Sequence, residues 1–286
     1  MFDQVEQYCR PESVRDALRL LDRSKGHAQV VAGGTDLVVE GGLSVRVLID
    51  LTRAGLTYIR RRESLCLIGA TTTLSEIGQS TVIRGLAGGL LTQAATACGS
   101  VQIRNLATLG GNLAHGSPAA DMTPALLALE ASVVIANDKR HKMPLVDYLQ
   151  RSPHMGHSLL VEVMVPEPPH GARTGWSFQK FGRTEVDISL VSVAAGLQLD
   201  ARARVKWARL ALGAVAPLPF RAGAVEQMMA GQLFDQTLLA RVGEQITRDV
   251  QPISDLRATA EFRRELSRVV AGRALEACAA QAGLTL

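Results

Sequence analysis

The first half of the chain combines apolar residues at helical spacing with short apolar runs that are typical of strands. Val14, Ala17, Leu18 and Leu21 recur on one helix face, and Pro11 stands in the first turn, where a proline loses no hydrogen bond. The other elements predicted in this half are strands at 29–32, 45–51, 65–70 and 158–165, a hairpin of 132–136 with 141–145, helices that start at 73 and that span 82–98 and 121–129, and an irregular segment at 101–118.

A cluster of prolines separates this half from the rest of the chain. Pro166, Pro168 and Pro169 cannot donate to a strand ladder, so they end the preceding strand and mark a predicted domain boundary at residue 170. Beyond it, apolar runs at 175–182, 188–199 and 205–214 are typical of an antiparallel meander, and helical patterns cover 221–230, 237–250 and 259–282. The predicted fold class is α+β, with a larger unit at residues 1–170 and a smaller one at 171–286.

Composition and charge exclude several classes of protein. Of the 286 residues, 47% are hydrophobic, which is enough for a packed core and too many for a disordered chain. Lys and Arg exceed Asp and Glu by 31 to 27, and aromatic residues make up 4%, so a binding surface for nucleic acid is not expected. The densest basic run, Arg60-Arg61-Arg62, is expected to be a solvated turn.

Signals for a membrane span, a metal site or a protein nucleophile are absent from the sequence. The longest apolar stretch, 124–136, contains Glu130 and is shorter than the ~20 residues of a membrane span, and the N-terminus does not resemble a signal peptide, so a cytoplasmic protein is expected. The cysteines are far apart in sequence, and no HExxH or GxSxG motif occurs. We therefore expect no metal ligands and no catalytic side chain, so that any enzyme chemistry would belong to a bound cofactor.

Two glycine pairs are the strongest candidates for ligand-binding segments. Gly33-Gly34 directly follows a predicted strand, and Gly110-Gly111 is flanked by Thr108 and Asn112. Glycine permits a positive φ and close approach of backbone N–H groups to a ligand, and successive N–H groups in such a turn form an anion-binding concavity. Either pair alone is better explained as a tight turn, whereas the two together favour two loops that bind one polyanion, such as a pyrophosphate.

Asp121 and Lys180 are further candidates, and each has a plain structural alternative. A carboxylate near a dinucleotide commonly accepts from a ribose hydroxyl, but Asp121 also suits the first turn of a helix. Lys180 lies in a predicted strand and is either solvated or reaches a cofactor from the second domain. Neither glycine pair belongs to a GxGxxG or Walker motif, so a Rossmann site and ATP hydrolysis are not expected.

Four segments together resemble a known family. They are AGGTD at 32–36, IGATTT at 68–73, QIRNLATLGGNLAHGSPAAD at 102–121 and FQKFGRTEVDIS at 178–189. This set resembles the FAD-binding subunit of the molybdenum hydroxylases, the group of xanthine dehydrogenase and carbon monoxide dehydrogenase. The resemblance covers nearly the whole chain, and the combination of AGGTD with TLGGN and SPAAD is specific where either half alone would not be.

The resemblance implies a fold. Residues 1–170 would form a two-subdomain FAD-binding fold of the vanillyl-alcohol oxidase type, with subdomains at about 1–55 and 56–170. Residues 171–286 would form the family's small domain, a three-stranded antiparallel sheet plus a helical bundle. Cys98 is a departure, because some relatives carry an aromatic residue there, close to the flavin ring. The residue that stacks on the flavin is therefore not identified.

The resemblance also implies which residues hold FAD, and it identifies no catalytic or metal-binding residue. Asp121 would bind ribityl or ribose hydroxyls, Leu160 would pack on the flavin or adenine side, and Lys180 would contact the flavin from the second domain. Two segments would hold the pyrophosphate through backbone N–H groups. Their residues are Val30, Val31, Ala32, Gly33, Gly34, Thr35, Asp36 and Leu37 in the first and Thr108, Leu109, Gly110, Gly111 and Asn112 in the second.

The implied function is electron transfer inside a larger oxidoreductase. FAD would be the cofactor of this chain, taking electrons from a 2Fe–2S cluster and passing them to NAD or another acceptor. The 2Fe–2S clusters and the molybdopterin would lie in partners, an iron–sulfur small subunit and a molybdenum-binding large subunit, assembled as a dimer of heterotrimers. Two alternatives stay open: a free-standing flavin oxidoreductase and a non-catalytic nucleotide-binding adaptor module.

Overall fold

The computed structural model describes residues 4–41, 45–151, 157–169 and 171–286, and these fall into two compact units. Unit 1 takes its described residues from Met1–Ile77, Ser100–Gly116 and Ala131–Pro166. Unit 2 takes them from Gly78–Gly99, Ser117–Glu130 and Glu167–Leu286. Two segments of the predicted N-terminal domain therefore group with the C-terminal residues, so the compact units are discontinuous in sequence.

Unit 1 contains two β-sheets. The first is parallel, in the order β1 (Gln7–Cys9), β3 (Val47–Asp50) and β2 (Ala28–Val31). The second is antiparallel, in the order β4 (Ile59–Arg62), β5 (Leu65–Gly69), β8 (Leu159–Pro166), β6 (Ser132–Ala136) and β7 (Arg140–Pro144). Ala17, Leu21, Ile49 and Val161 share one buried cluster, so residues of both sheets and of the first helix build this core.

The helices of unit 1 are short, and side-chain caps begin several of them. The Ser13 side chain accepts from the N–H of Asp16 and so begins the first helix, which places Pro11 two residues before the cap and not in the first turn as predicted. The helices are α1 (Val14–Arg23), α2 (Leu37–Glu40), α3 (Leu74–Gln79, which ends in unit 2), α6 (Val101–Leu106), α7 (Leu109–His115) and α9 (Leu145–Arg151).

Unit 2 is a single antiparallel sheet with helices packed against it. Its strands run in the order β12 (Phe220–Arg221), β11 (Val205–Gly213), β10 (Val191–Leu199) and β9 (Thr174–Phe181). Its helices are α4 (Thr81–Arg84), α5 (Leu90–Ala97), α8 (Met122–Ala128), α10 (Gly223–Met229), α11 (Gln236–Asp249) and α12 (Ala260–Gln281). Every residue of β10 is buried, with α12 packed on β9 and β10 and α8 packed on β10 and β11. Across the residues that the structure describes, no helix is long and apolar enough to cross a bilayer.

The mixed helix-and-sheet class is confirmed, and the predicted three-stranded sheet is wrong by one strand. The fourth strand, β12, has two residues, which pair with Ala211 and Leu212 of β11. A run of two residues carries no periodic pattern, and Pro217 and Pro219 next to it are signals that end a strand. The vanillyl-alcohol oxidase detail of the fold stays a prediction.

The single helix predicted over 82–98 is interrupted. Ala87, Gly88 and Gly89 have φ angles of 48°, 56° and 75°, which lie in the left-handed region. These residues separate α4 from α5, and glycine tolerates this conformation because it lacks a Cβ. The apolar pattern continues across the break, so periodicity alone did not show it.

Two segments that were predicted to be irregular or solvated have regular structure. Residues 101–106 and 109–115 of the predicted irregular segment form α6 and α7, each begun by a side-chain cap, from Ser100 and Thr108. No residue of α6 is buried, and its apolar residues Val101, Ile103 and Leu106 are exposed, so no buried face sets a helical pattern in the sequence. The Arg60–Arg62 run, predicted to be a turn, belongs to β4 at one edge of the five-stranded sheet, where cationic side chains discourage pairing with another chain.

Candidate functional site

Unit 1 contains a cavity of about 520 Å³, and both glycine pairs lie on its wall. This volume falls within the ~300–1,000 Å³ of pockets that bind small molecules and cofactors. The structure therefore brings together two segments that are far apart in sequence. The predicted site residues that line this cavity are Val30, Val31, Ala32, Gly33, Gly34, Thr35, Asp36, Leu37, Thr108, Gly110, Gly111, Asn112 and Leu160.

The first glycine pair forms a turn whose backbone donors are not used by the protein. Strand β2 ends at Val31, and Gly34 has a φ of 68°, a conformation that glycine adopts without strain. Within the described chain, the N–H groups of Gly33, Gly34 and Thr35 have no acceptor. Successive unused N–H groups in a turn suit an anionic ligand.

A close backbone contact makes glycine necessary at position 33. A Cβ on Gly33 would overlap the carbonyl oxygen of Leu106, the last residue of α6. Leu106 is two residues before Thr108, at which α7 begins. The close approach at Gly33 therefore places the first turn directly beside the chain that leads into the second glycine pair.

The second glycine pair has a different bonding pattern. The N–H groups of Gly110 and Gly111 both have protein acceptors, as do those of Leu109 and Asn112, and the predicted contact of this segment with a pyrophosphate stays a prediction. The bonds run from Leu109 to the Thr72 carbonyl (2.9 Å), from Gly110 to the Ala70 carbonyl (2.8 Å), from Gly111 to Thr108 Oγ1 (3.0 Å) and from Asn112 to the Thr108 carbonyl (2.9 Å).

Glycine in the second pair serves packing. A Cβ on Gly110 would lie 2.7 Å from both the Cβ and the carbonyl oxygen of Ala70, which follows β5. Real Cβ atoms essentially never come this close to another heavy atom. The start of α7 can therefore approach the end of β5 because Gly110 has no side chain.

Asn112 supplies the polar group that the second segment leaves for a ligand. Its Oδ1 atom is buried and has no hydrogen-bond partner within the described chain, and the residue lines the cavity. A buried oxygen without a donor costs about 1–3 kcal/mol, which a ligand donor would recover. The amide carries an acceptor oxygen and an NH2 donor, so it suits a hydroxyl or a phosphate oxygen.

Leu160 and Leu109 occupy different environments. Leu160 lines the cavity from β8, at the point where the register between β6 and β8 shifts and Leu160 pairs with Ile135. Such an irregularity redirects side chains locally, which suits a residue at a binding site. Leu109 is fully buried, so its side chain packs in the protein interior.

Asp121 and Lys180 belong to unit 2, where they form a buried ion pair. Lys180 Nζ lies 2.9 Å from Asp121 Oδ2 and donates to the Ala97 carbonyl, also at 2.9 Å. Ser189 Oγ donates to Asp121 Oδ1 at 2.5 Å. The side chains of Lys180 and Asp121 are 8% and 4% exposed. Each is thus a protein partner of the other, and their predicted contacts with FAD stay predictions.

Sequence reasoning missed an ion pair on the cavity wall. His115 Nε2 lies 2.7 Å from Glu40 Oε1, and both residues line the cavity. A signal was present, since Glu40 ends α2, which follows the first glycine pair, and His115 ends α7, which contains the second pair. Tyr148 of α9 also lines the cavity and was not predicted.

Comparison with known proteins supplies an independent observation. Residues 3–168 match the FAD binding domain in molybdopterin dehydrogenase, and residues 176–278 match the CO dehydrogenase flavoprotein C-terminal domain. The chain is 30% identical over 277 residues to the 6-hydroxypseudooxynicotine dehydrogenase complex subunit alpha of Paenarthrobacter nicotinovorans, covering 94% of this chain and 92% of that protein. It is 28% identical over 279 residues to the carbon monoxide dehydrogenase medium chain of Hydrogenophaga pseudoflava, covering 95% and 96%.

Solved structures agree with the sequence comparison. A structure of carbon monoxide dehydrogenase from Hydrogenophaga pseudoflava matches with a TM-score of 0.90 at 28% identity, covering 97% of this chain and 98% of that one. Quinoline 2-oxidoreductase from Pseudomonas putida 86 matches with a TM-score of 0.89 at 25% identity, again covering 97% and 98%.

The fold and the glycine-lined cavity, together with these matches, define an FAD-binding subunit of an oxidoreductase. The chain belongs to the family of FAD-binding medium subunits of the molybdenum hydroxylases, the group of carbon monoxide dehydrogenase and xanthine dehydrogenase. The family resemblance and the choice of FAD as cofactor are thereby confirmed.

Replacing Gly33 by Ala is expected to destabilise the chain and to reduce the FAD that it retains. The added methyl would overlap the Leu106 carbonyl, so the turn must move, at a cost of about 1–3 kcal/mol. Urea unfolding measures the cost, and flavin absorbance of the purified protein measures the retained FAD. Gly272→Ala is the control, because a Cβ there meets no atom within 4 Å and should add about 0.5–1 kcal/mol of stability. Equal stability and FAD content in Gly33→Ala and wild type would contradict the close contact.

Replacing Lys180 by Met is expected to leave the Asp121 carboxylate buried and unpaired, and to lower the free energy of unfolding by about 3–5 kcal/mol at pH 7. Burial raises the pKa of Asp121, and the Lys180 charge and the Ser189 hydroxyl oppose that rise. A carboxyl with a raised folded pKa favours folding most at low pH, and this contribution is lost as the pH rises through that pKa. Removing Lys180 should therefore make the free energy of unfolding fall more steeply as the pH rises.

Urea unfolding at pH 4.5 and pH 7 measures this effect. The double variant Asp121→Asn with Lys180→Met should recover much of the stability, because no charge is left unpaired, and it should lose the added pH dependence. A Lys180→Met variant as stable as wild type at pH 7 would show that the pair is not needed.

Proposed function

We propose that this chain is the electron-transfer subunit of a molybdenum hydroxylase, passing electrons from a 2Fe–2S cluster of a partner subunit through FAD to NAD or another acceptor. The observation that carries the proposal is the cavity whose wall contains both glycine pairs. When bound, FAD supplies redox chemistry that accepts electrons singly and releases them as a pair. The chain's own residues bind the cofactor, orient it and control its surroundings.

The cavity residues fit FAD at three points. The turn at Gly33–Thr35 presents unused N–H groups, which suit the diphosphate. Asn112 presents an unpaired amide oxygen, which suits a ribose or ribityl hydroxyl. Leu160 and the residues of β2 provide an apolar wall, which suits a ring system.

The two glycine pairs have different tasks in this proposal. Gly33 and Gly34 face the ligand, because their donors are unused and Gly34 takes the left-handed conformation that curves the turn. Gly110 and Gly111 position the site, because their donors are bonded within the protein and Gly110 allows α7 to pack against Ala70. Ligand contacts from the second segment then come from the Asn112 side chain.

The proposal also includes Asp121 and Lys180, which form the buried ion pair of unit 2. The proposal gives Asp121 the ribityl or ribose hydroxyls and Lys180 a contact with the flavin, on the strength of the family resemblance. A carboxylate has about four lone-pair sites, so Asp121 can accept from a ligand hydroxyl as well as from Ser189 and Lys180. The ion pair would hold both side chains in place before FAD arrives.

The proposed partners follow from the names of the relatives and from the spacing of the cysteines in this chain. The names "complex subunit alpha" and "medium chain" describe relatives that act within multi-subunit complexes. We propose an iron–sulfur small subunit and a molybdenum-binding large subunit, in a dimer of heterotrimers in the cytoplasm. Cys9, Cys66, Cys98 and Cys278 are widely separated in sequence, so the 2Fe–2S clusters belong to the partner.

Substrate choice is proposed to lie outside this chain. The relatives are named for 6-hydroxypseudooxynicotine, glyceraldehyde and carbon monoxide, which share little chemistry. Each is matched over more than nine-tenths of this chain. A subunit that is similar among enzymes with different substrates suits an electron-transfer step that those enzymes share.

Purification of the native complex tests the proposal. We expect the chain to bring two partner subunits with it, together with iron, molybdenum and one FAD per copy of the chain. Substrate turnover by the isolated chain would instead support a free-standing flavin oxidoreductase. A colourless chain whose melting temperature does not change with added FAD would support an adaptor module, since a ligand that binds the native state must stabilise it.

Replacing Asn112 by Ala is expected to weaken FAD binding without weakening the FAD-free fold. Loss of one hydrogen bond to the ligand corresponds to about 0.5–1.5 kcal/mol, or roughly a three- to tenfold higher Kd. In the FAD-free protein the change removes a buried oxygen that has no partner, so unfolding should become no easier. Fluorescence titration with FAD and urea unfolding separate the two effects. Asn105→Ala on exposed α6 is the control, and a stability loss without an affinity loss would contradict the ligand contact.

A further inference from the structure

The cavity is poor in positive charge for a site that binds a dianion. Among the described residues that line it, the ionisable side chains are Asp36, Glu40, His115 and Tyr148, with no Lys or Arg. The diphosphate of FAD carries two negative charges, and two carboxylates already share its cavity. Coulomb repulsion grows where protein replaces water, so these charges oppose binding unless a cation offsets them.

His115 is the one side chain of this set that can become a cation. Its Nε2 lies 2.7 Å from Glu40 Oε1, and the two side chains are 30% and 61% exposed, so the ring exchanges protons with solvent. His115 is the last residue of α7, where the helix dipole favours a positive charge. Its own helix carries no other titratable group; Asp36 and Glu40 come from α2, and Tyr148 comes from α9.

We propose that His115 is the cationic residue of the FAD site, and that FAD binds together with a proton taken up by its imidazole ring. The inference rests on the proposed function, because it needs the dianionic diphosphate in this cavity. The diphosphate of bound FAD brings two negative charges into the cavity and so favours the imidazolium in the complex. The ring therefore holds its proton more tightly when FAD is bound, and the affinity for FAD falls as the pH rises through the range in which histidine titrates.

Titration calorimetry on the FAD-free full chain tests the proton uptake. FAD is titrated at pH 7.5 in two buffers of different ionisation enthalpy, and the difference in heat gives the number of protons taken up. Between pH 6 and 8.5 the diphosphate keeps both charges and the flavin ring stays neutral, so the ligand itself contributes no proton. Wild type should take up part of one proton per FAD.

Variants identify the group that takes up the proton. His115→Gln should abolish the uptake and bind FAD about 3- to 30-fold more weakly at pH 6.5, with the difference from wild type shrinking at pH 8.5. His115→Lys carries a fixed charge and should restore binding at pH 8.5 without proton uptake, which a purely structural role would not produce. His141→Gln, an exposed histidine of β7, is the matched control.

The outcomes separate this inference from the proposed function. FAD binding without proton uptake by wild type, or equal uptake by wild type and His115→Gln, would overturn the inference and leave the FAD site intact. Failure of His115→Lys to bind FAD better than His115→Gln at pH 8.5 would also overturn it. A wild-type chain that does not bind FAD at any pH would overturn both.

Discussion

The structure of the site depends on one steric constraint, the close approach of Gly33 to the carbonyl oxygen of Leu106. No other residue fits there, because any Cβ would overlap that oxygen. The contact fixes the end of β2 against the chain between α6 and α7, so the turn with unused donors and the segment that carries Asn112 share one cavity.

Charge is handled differently in the two units. In unit 2, Asp121 is surrounded by Lys180, Ser189 and protein interior, and its partners are complete without a ligand. In unit 1, the cavity carries carboxylates, one imidazole and unused backbone donors, and its bonding is incomplete. An incomplete set of partners is typical of a site that waits for a ligand, whereas a complete set is typical of a prearranged support. The incomplete set in unit 1 suits recognition of an anion, and the complete set in unit 2 suits a rigid, prearranged ion pair.

Local rules allowed much of this protein to be predicted from sequence. The strand that ends before Gly33, the first helix with its Ser13 cap and the long C-terminal helix all obey short-range patterns, and the structure contains them within a few residues of the predicted bounds. The glycine pairs were found for the same reason, but their bonding was not, because Thr72 and Ala70 are remote in sequence from the N–H groups that they accept. The His115–Glu40 pair was missed because it joins distant segments of the chain, and β12 was missed because two residues carry no periodic pattern.

The discontinuous course of the chain has a consequence for how the protein is made. Helices α5 and α8 precede residue 130, yet they pack on β9, β10 and β11, which end at residue 213. The faces of α5 and α8 that pack on these strands therefore stay uncovered on the ribosome until the later strands emerge. A fragment that stops at the proline cluster would expose the same apolar surfaces permanently. Synthesis of the FAD-binding half alone should therefore yield an aggregation-prone polypeptide, although that half contains the whole cavity lining.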